Sequence, residues 1–230
     1  MFQSESDRFL CGTYRLGILE YGMALALQSR LAEARARQEI ADTLLLLQHP
    51  SVITLGKSAR ADHVLDPGAA NEKNIRIFAT DRGGDVTYHG PGQLVVYPIL
   101  NLNDHRLNVG GYVWSLEEVV IRVLSRFGIA AGREDKLRGV WVGREKICSL
   151  GVHLSSGISK HGLALNVKND LTPFGLINPC GTGRPVTSMA RILGRSLDME
   201  EVASLTLRAF SEVFRFNLRE EPPEGLDPYR

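Results

Sequence analysis

Two side chains of this sequence, the thiol of Cys180 and the amine of Lys146, are suited to nucleophilic catalysis. Cys180 lies in residues 177–183 (INPCGTG), between a proline that fixes φ and flexible glycines. A thiol in such a tight loop is accessible, and successive backbone N–H groups there can bind an oxyanion. The alternative is that Cys180 is a small buried hydrophobic residue, as a free cysteine often is. No periodic apolar run surrounds Cys180, which favours the accessible thiol.

Lys146 begins a segment of strand-like composition, residues 146–154. One interpretation is an ammonium group at the solvated end of a strand. The other is an amine that is partly buried beside a thiol, where it favours the thiolate and transfers protons. Only a few per cent of a thiol with a pKa of about 8.5 is ionised at neutral pH, so this help matters. Cys148 fits a packed core residue better, and His89 and His153 are alternative bases for a Cys-His pair.

A glycine-rich stretch at residues 82–98 (RGGDVTYHGPGQLVVYP) is the second chemical feature. Glycine lets the backbone approach a ligand closely, so the stretch is interpreted as the wall of a pocket. An ordinary loop between two strands is the alternative. The stretch is not a known phosphate-binding signature, because no Gly-Lys-Ser/Thr follows and the Gly-x-Gly at 90–92 leads into a strand.

The hydrophobic pattern predicts the elements that position these residues. Helices are predicted from residue 23 to about 38, at 112–127 with Gly128 following, and from Asp198, whose spacing to Glu201 resembles a capping box. Strands are predicted at residues 13–19, 43–48, 52–55, 75–79, 94–99, 139–142, 146–154 and 163–167. The stretch 57–74 is predicted as a loop with at most a helical turn. The connections between the last three strands are too short for crossover helices, which predicts a meander.

This order of elements predicts an α+β or mixed α/β fold in a single domain. We assign residues 1–218 to that domain and expect the Glu/Pro-rich residues 219–230 to form a mobile tail.

The composition points to a protein of the cytoplasm. The chain has 230 residues, and its 27 basic and 26 acidic side chains give no global electrostatic argument for nucleic acid or an anionic membrane. Its three cysteines are an odd number at wide spacing, which fits neither a disulfide framework nor a zinc site and suggests a reducing compartment. No apolar run has the length of a signal peptide or of a membrane span, so we expect a soluble cytoplasmic protein.

Taken together, five motifs resemble those of the octanoyltransferase family, also called lipoate-protein ligase B. They are HPSVITLG (49–56), RGGDVTYHGPGQLVVYPIL (82–100), GVWVGREKICSLGVHL (139–154), HGLALNV (161–167) and NPCG (178–181). They occur in the family's order and span most of the chain between the first and last helices. The resemblance implies the fold shared by biotin and lipoate ligases, a mixed sheet flanked by helices.

The resemblance also implies an acyltransferase reaction, the first step of endogenous lipoate biosynthesis. An octanoyl group would pass from the phosphopantetheine thioester of acyl carrier protein to a lysine of a lipoyl domain, with no cofactor and no metal. The implied partners are acyl carrier protein and the lipoyl domains of 2-oxoacid dehydrogenase complexes and of glycine cleavage H protein, with no nucleic acid and no membrane.

By position, Cys180 would be the nucleophile that carries the acyl thioester, and Lys146 would lower its pKa and transfer protons. The implied acyl-binding residues are Arg82, Gly83, Gly84, Asp85, Val86, Thr87, Tyr88, His89, Ser149, Leu150, Gly151, Gly162, Leu163 and Ala164. Two residues depart from the family pattern: Cys148 replaces a small non-thiol residue, and Leu163 stands where Phe is common.

Further expectations follow from the proposed substrates. An acyl chain needs a narrow apolar tunnel, for which Val86, Tyr88, Leu150 and Leu163 are candidates, with a core role as the alternative. An acidic carrier protein needs a basic docking surface, and the basic side chains before or next to Lys146 are Arg133, Lys136, Arg138 and Arg144. The alternative functions are an ATP-dependent lipoate or biotin ligase on the same fold, a non-catalytic protein that binds lipoyl or octanoyl groups, and a cysteine hydrolase.

Overall fold

The computed structural model describes residues 9–178 and 183–229 of the chain. Its strands are β1 (Phe9–Ile18), β2 (Asp42–Gln48), β3 (Val52–Leu55), β4 (Arg76–Ala79), β5 (Val86–His89), β6 (Gln93–Ile99), β7 (Gly132–Glu134), β8 (Leu137–Val142), β9 (Glu145–Ser155), β10 (Ile158–Asn166) and β11 (Phe216–Glu220). Its α-helices are α1 (Tyr21–Ala36), α2 (Pro67–Glu72), α3 (Val109–Arg126), α4 (Met189–Leu193) and α5 (Met199–Phe214), and short 3₁₀ segments lie at Ala61–His63, Thr172–Leu176 and Pro223–Tyr229.

Within the described residues, eight strands form a mixed sheet in the order β11-β1-β2-β6-β10-β9-β8-β7. β1 runs parallel to β2 and β11, and the other neighbouring pairs are antiparallel. The predicted meander is confirmed, since β8, β9 and β10 are consecutive antiparallel neighbours.

Strand β2 shows why the sheet carries helices on both faces. Leu44 and Leu46 pack into the core cluster that contains α3 and α5, whereas Leu45 and Leu47 pack into the cluster that contains α1. Because successive side chains of a strand point to opposite faces, a continuous apolar run predicts this double burial. The predicted fold class, a mixed sheet flanked by helices, is confirmed.

The helix ends are set by local capping. Asn108 accepts a hydrogen bond from Gly111 N at 2.8 Å, so α3 begins at Val109, three residues before the predicted start. Beyond its last turn Gly128 has a φ of +73°, as predicted for a glycine that follows a helix. Asp198 caps α5 through Glu200 N at 3.0 Å.

A second sheet among the described residues has three strands in the order β4-β3-β5. Its strand β5 lies inside the glycine-rich stretch, where the hydrophobic pattern predicted no strand before residue 94. Val86 and Tyr88 are buried in a small core with Phe174 and Ile177, which explains why this segment is a strand. Helix α2, capped by Asp66, likewise lies in a region predicted as a loop.

The predicted domain boundary at residue 219 falls inside β11, which pairs with β1. Leu226 is only 1% exposed and packs in the cluster that contains α1. The mobility of residues 219–230 stays a prediction. No helix in the described ranges combines the length and the apolar character that a bilayer-crossing segment requires.

Candidate active site

A cavity of about 540 Å³ lies between the two sheets and the N-terminal part of α3. It extends along β9 from Lys146 to Val152, a span of about 20 Å at a rise of ~3.3 Å per residue. The predicted site residues that line it are Arg82, Gly83, Gly84, Asp85, Val86, Thr87, His89, Lys146, Ser149, Leu150, Gly151, Gly162, Leu163 and Ala164. The fold therefore brings together residues from three separate motif segments.

Tyr88 and Cys180 differ from the other predicted residues. Tyr88 does not line the cavity: its hydroxyl lies 3.0 Å from Ser51 Oγ, and its ring contacts Phe174 edge to face. This placement matches the alternative core role, while substrate binding by Tyr88 stays a prediction. Cys180, the predicted nucleophile, lies outside the described residues.

Two glycines are required where the backbone approaches the cavity most closely. A Cβ on Gly162 would lie 2.3 Å from Val96 O, so only glycine lets β10 pack against β6 at this point. A Cβ on Gly151 would lie 3.0 Å from Gly83 O, where β9 meets the glycine-rich stretch. Glycine at these two positions lets the backbone pack this closely at the cavity wall.

Arg82 fixes the start of the glycine-rich stretch. Its buried guanidinium donates from Nη2 to Thr54 O at 2.7 Å and from Nε to Thr54 Oγ1 at 3.2 Å. The next residue, Gly83, donates its N–H to Val152 O at 2.8 Å. The stretch is therefore anchored to β3 on one side and to β9 on the other.

Lys146 is half-buried opposite Trp141 of β8, and its Nζ lies 4.8 Å from the centroid of the indole ring. A cation over an aromatic face is attracted to it, so the ring fixes the ammonium group at the cavity wall. The backbone N–H of Lys146 donates to Pro185 O at 2.9 Å, and its carbonyl accepts from Thr187 N at 2.9 Å. Residues 185–187 are therefore held along the start of β9.

The residue before the undescribed segment is also anchored. Asn178 N donates to His63 O at 2.8 Å, and Asn178 Oδ1 accepts from Gly183 N at 3.3 Å. His63 in turn binds Asp85, with 2.5 Å between Nδ1 and Oδ2. Asp85 lines the cavity, so this chain of contacts links the cavity wall to a residue two positions before Cys180.

The two cysteines that the structure describes, Cys11 and Cys148, are free, fully buried and absent from the cavity wall. Burial raises the pKa of the Cys148 thiol far above its ordinary value, although Lys146 is in the same strand. The prediction that Cys148 is a packed core residue is confirmed.

Neutral imidazoles surround the inner part of the cavity. His89 donates from Nδ1 to Gln93 Oε1 at 2.8 Å, because the amide nitrogen of Gln93 already donates to Tyr88 O and Asn166 Oδ1. Burial lowers the pKa of His89 well below its ordinary value, and nearby His49 lowers it further. His89 is therefore a neutral ring whose Nε2 carries a lone pair.

His161 is the second neutral ring of the cavity. It donates from Nε2 to Asp81 Oδ1 at 2.7 Å, and burial lowers its pKa to about 4 despite the carboxylate. Its Nδ1 is buried with no hydrogen-bond partner among residues 9–178 and 183–229. Lys160 binds the other oxygen of Asp81 at 2.8 Å. Burial opposes ionisation of Asp81, but the hydrogen bonds from Lys160 and His161 outweigh it and hold the pKa of Asp81 below its ordinary value.

His153, the other base considered from the sequence, does not line the cavity. Its Nε2 lies 3.6 Å from Asp81 Oδ2, and its Nδ1 lies 3.4 Å from Lys57 Nζ. The contacts of His153 are thus with charged residues on the outer side of the cavity wall.

Comparison with known proteins assigns this geometry to a family. The model of the lipoyl protein ligase A/B catalytic domain matches residues 20–211. An octanoyltransferase from Solibacter usitatus is 49% identical over 209 residues, which cover 90% of this chain and 94% of the relative. An octanoyltransferase from Chloroflexus aurantiacus is 51% identical over 211 residues, which cover 90% of this chain and 95% of the relative. The chain belongs to the octanoyltransferase family. It is therefore an enzyme of the acyltransferase class.

Solved structures agree on the fold of this octanoyltransferase-family chain. A bi-partite lipoate protein ligase from Thermoplasma acidophilum superposes with a TM-score of 0.74 at 20% identity, covering 94% of this chain and 90% of that one. Lipoate-protein ligase A bound with ATP superposes with a TM-score of 0.75 at 18% identity, covering 95% of this chain and 92% of the ligase. Biotin protein ligase from Aquifex aeolicus superposes with a TM-score of 0.52 at 16% sequence identity, covering 90% of this chain and 70% of the ligase.

Sequence reasoning missed one residue that lines the cavity, Trp141, and one that binds a lining residue, His63. Trp141 lies in the motif GVWVGREKICSLGVHL, and an aromatic residue in register with Lys146 across a predicted hairpin was the signal for it. His63 lies in a segment predicted as a loop, and nothing in the local sequence ties it to Asp85.

The four basic residues proposed for carrier docking separate into different environments. Arg133 binds Glu117 and Glu118 at 3.2 and 3.0 Å. Lys136 and Arg138 are exposed and line an opening of the cavity, whereas Arg144 is exposed in the β8–β9 turn and does not line it.

Proposed function

We propose that this protein transfers an octanoyl group from the phosphopantetheine thioester of an acyl carrier protein to a lysine of a lipoyl domain, through a thioester on Cys180. The observation that carries the proposal is the position of Lys146. Its side chain lines the cavity, and its backbone binds residues 185–187, a few residues after Cys180. The names of the relatives, octanoyltransferases, supply the acyl group.

In the first half-reaction, the neutral Lys146 amine takes the proton of the Cys180 thiol, and the ammonium group stabilises the thiolate. The thiolate attacks the carbonyl carbon of the donor, forming a new C–S bond and a tetrahedral oxyanion. Collapse of the oxyanion breaks the original C–S bond. The departing pantetheine thiolate takes the proton back from Lys146, so charge and protons balance.

In the second half-reaction, the neutral amine of the acceptor lysine attacks the acyl-Cys180 carbonyl carbon. Lys146 takes a proton from the attacking nitrogen, and the Cys180 thiolate leaves as the amide forms. The enzyme returns to the thiolate–ammonium pair. A thioester is already activated, so neither step needs a nucleotide, a metal or another cofactor.

The cavity supports an acyl intermediate. Val86, Leu150 and Leu163 are apolar residues of its wall. The imidazoles of His89 and His161 are neutral, so they place no charge beside a bound hydrocarbon chain. An apolar, partly closed site also protects the thioester from water.

The proposed acceptors are the lipoyl domains of 2-oxoacid dehydrogenase complexes and of glycine cleavage H protein. The Thermoplasma acidophilum ligase, which has the same fold, is described together with its E2 lipoyl domain. The free thiols of Cys11 and Cys148 support a reducing compartment, the cytoplasm, as the place of this reaction.

The intact mass of the protein after incubation with octanoyl acyl carrier protein tests the proposal. We expect one octanoyl adduct on the unaltered protein and on Cys148→Ser, removal of the adduct by hydroxylamine, and no adduct on Cys180→Ser. Cys148→Ser is the matched control, because it removes a described thiol that is buried outside the cavity wall. An adduct that persists on Cys180→Ser would contradict Cys180 as the nucleophile.

The same variants separate the transferase from an ATP-dependent ligase. A ligase makes an acyl-adenylate and does not need the cysteine thiol. Amide formation by Cys180→Ser that depends on ATP and free octanoate would overturn the proposed function. Amide formation without ATP, from the octanoyl carrier and a lipoyl domain, is the expected result for the unaltered protein.

A further inference from the structure

We propose that Lys136 and Arg138 form a subsite for a phosphate group at an opening of the cavity, and that it binds the phosphodiester of the donor's pantetheine arm. This inference rests on the proposed function, because it takes the donor to be a pantetheine thioester. It adds a binding site that is separate from the acyl-binding part of the cavity.

The first observation is the position of the two cations. Both Lys136 and Arg138 are exposed, yet both line the same cavity as Lys146. They lie in β8 and in the turn that precedes it, and β8 pairs with the start of β9, where Lys146 is located. A donor that enters here passes Lys136 and Arg138 before its thioester reaches Lys146.

The second observation concerns their charge. Neither Lys136 nor Arg138 has an ion-pair partner in the part of the chain that the structure describes, whereas Arg133 is bound to Glu117 and Glu118. The carboxylate of Glu134, the last residue of β7, lies 3.1 Å from Arg184. The two cations are therefore available to an anion from outside.

The third observation is the distribution of charge along the cavity. Its inner part contains the neutral rings of His89 and His161, and its apolar wall suits a hydrocarbon chain. Lys136, Arg138 and Lys146 place three cations along one part of the cavity, whereas the guanidinium of Arg82, which also lines it, is bound to Thr54. A ligand with an apolar chain at one end and an anion at the other matches this pattern. Guanidinium and ammonium groups bind phosphate oxygens through charge-assisted hydrogen bonds.

Two small donors that differ only in the phosphate test the subsite. Octanoyl-4′-phosphopantetheine and octanoyl-pantetheine are each supplied with a lipoyl domain, and kcat and KM are measured without the carrier protein. We expect the phosphorylated donor to have a KM about tenfold lower at similar kcat, a preference that weakens as salt is added. The double variant Lys136→Ala/Arg138→Ala should lose the preference without changing KM for octanoyl-pantetheine.

Arg144→Ala is the matched control, since Arg144 is an exposed cation near β8 that does not line the cavity. It should keep the preference. Equal KM values for the two donors, or a preference that survives in the double variant, would overturn the subsite alone. If neither donor is used and intact octanoyl carrier is also inactive, the proposed function fails and the subsite fails with it. Activity with the intact carrier but with neither small donor would also count against the subsite, because it would then not hold the arm.

Discussion

At the scale of single residues, the contact between Trp141 and Lys146 positions the amine that the proposed reaction uses. The ammonium group lies 4.8 Å from the indole centroid, and the Arg184 guanidinium carbon lies 5.3 Å from it. The indole Nε1 is buried and has no acceptor within the described ranges. The aromatic face therefore positions Lys146, while the N–H donates no hydrogen bond to residues 9–178 or 183–229. Trp141 acts through Lys146 and is a positioning residue.

Replacement of Trp141 separates the role of its aromatic face from that of its indole N–H. Trp141→Phe keeps an aromatic face and should hold kcat/KM within about threefold of the unaltered enzyme, whereas Trp141→Leu should lower it about tenfold. Steady-state kinetics of the three proteins measure the effect. Equal kcat/KM values in Trp141→Phe and Trp141→Leu would contradict the positioning role.

At the scale of secondary structure, the site depends on the close approach of β10 to β6 and of β9 to the glycine-rich stretch. Gly162 lies where β10 crosses closest to β6, and any side chain there meets the carbonyl of Val96. The strands cannot move apart without breaking ladder hydrogen bonds and the core on either face of the sheet. The cavity wall therefore has little freedom to adjust.

Gly162→Ala should lower the free energy of unfolding by about 2–4 kcal/mol, because its Cβ would lie 2.3 Å from Val96 O and 2.6 Å from Pro98 Cδ. Gly132→Ala in the edge strand β7 is the matched control. A Cβ at Gly132 meets nothing within 4 Å, so its effect should stay within about 0.5 kcal/mol. Urea unfolding measures both changes. Similar stability of the two variants would show that the sheet relaxes around Gly162.

At the scale of the whole molecule, several buried, neutral histidines lie near the cavity between the two sheets. His49 donates from Nδ1 to Leu19 O at 2.7 Å and accepts from the Tyr97 hydroxyl at 2.8 Å. Burial lowers its pKa to about 4, the value also reached by His161. The rings of His49 and His89 are 5.6 Å apart, so protonation of either would also repel the other.

The stability of the protein should therefore fall in mild acid. The pKa of His49 and His161 is lower in the folded state than the ordinary value of about 6.5, so the unfolded chain binds more protons below that pH. The stabilisation is complete above pH 6.5 and is lost as the pH falls towards 4. Each of these histidines should lower the free energy of unfolding by on the order of 1–2 kcal/mol at pH 5, relative to pH 7.5. Denaturant unfolding at pH 7.5, 6.5, 5.5 and 5 measures the loss, and an unchanged free energy would contradict neutral burial.

The fold was largely predictable from local patterns. The apolar run of β2 predicts burial on both faces, and the one-sided pattern of α3 predicts a helix on the sheet, because both depend only on side-chain periodicity. Strand β5 was missed for the opposite reason. Its sequence, VTYH, is largely polar, and its partner β3 and the core residue Phe174 are distant in sequence.

In the candidate site, too, some features were predictable from the sequence and others were seen only in the tertiary structure. By itself the sequence determined the residue types, the motif spacing and the family, and these place the predicted residues in the right segments. Only the tertiary structure decided that Lys146 rests on Trp141, that His63 binds Asp85, and that Lys136 and Arg138 share a cavity while Arg133 is bound to carboxylates. These are contacts between side chains far apart in the chain or on neighbouring strands. They depend on the packing of whole strands and helices, which no local pattern of residues specifies.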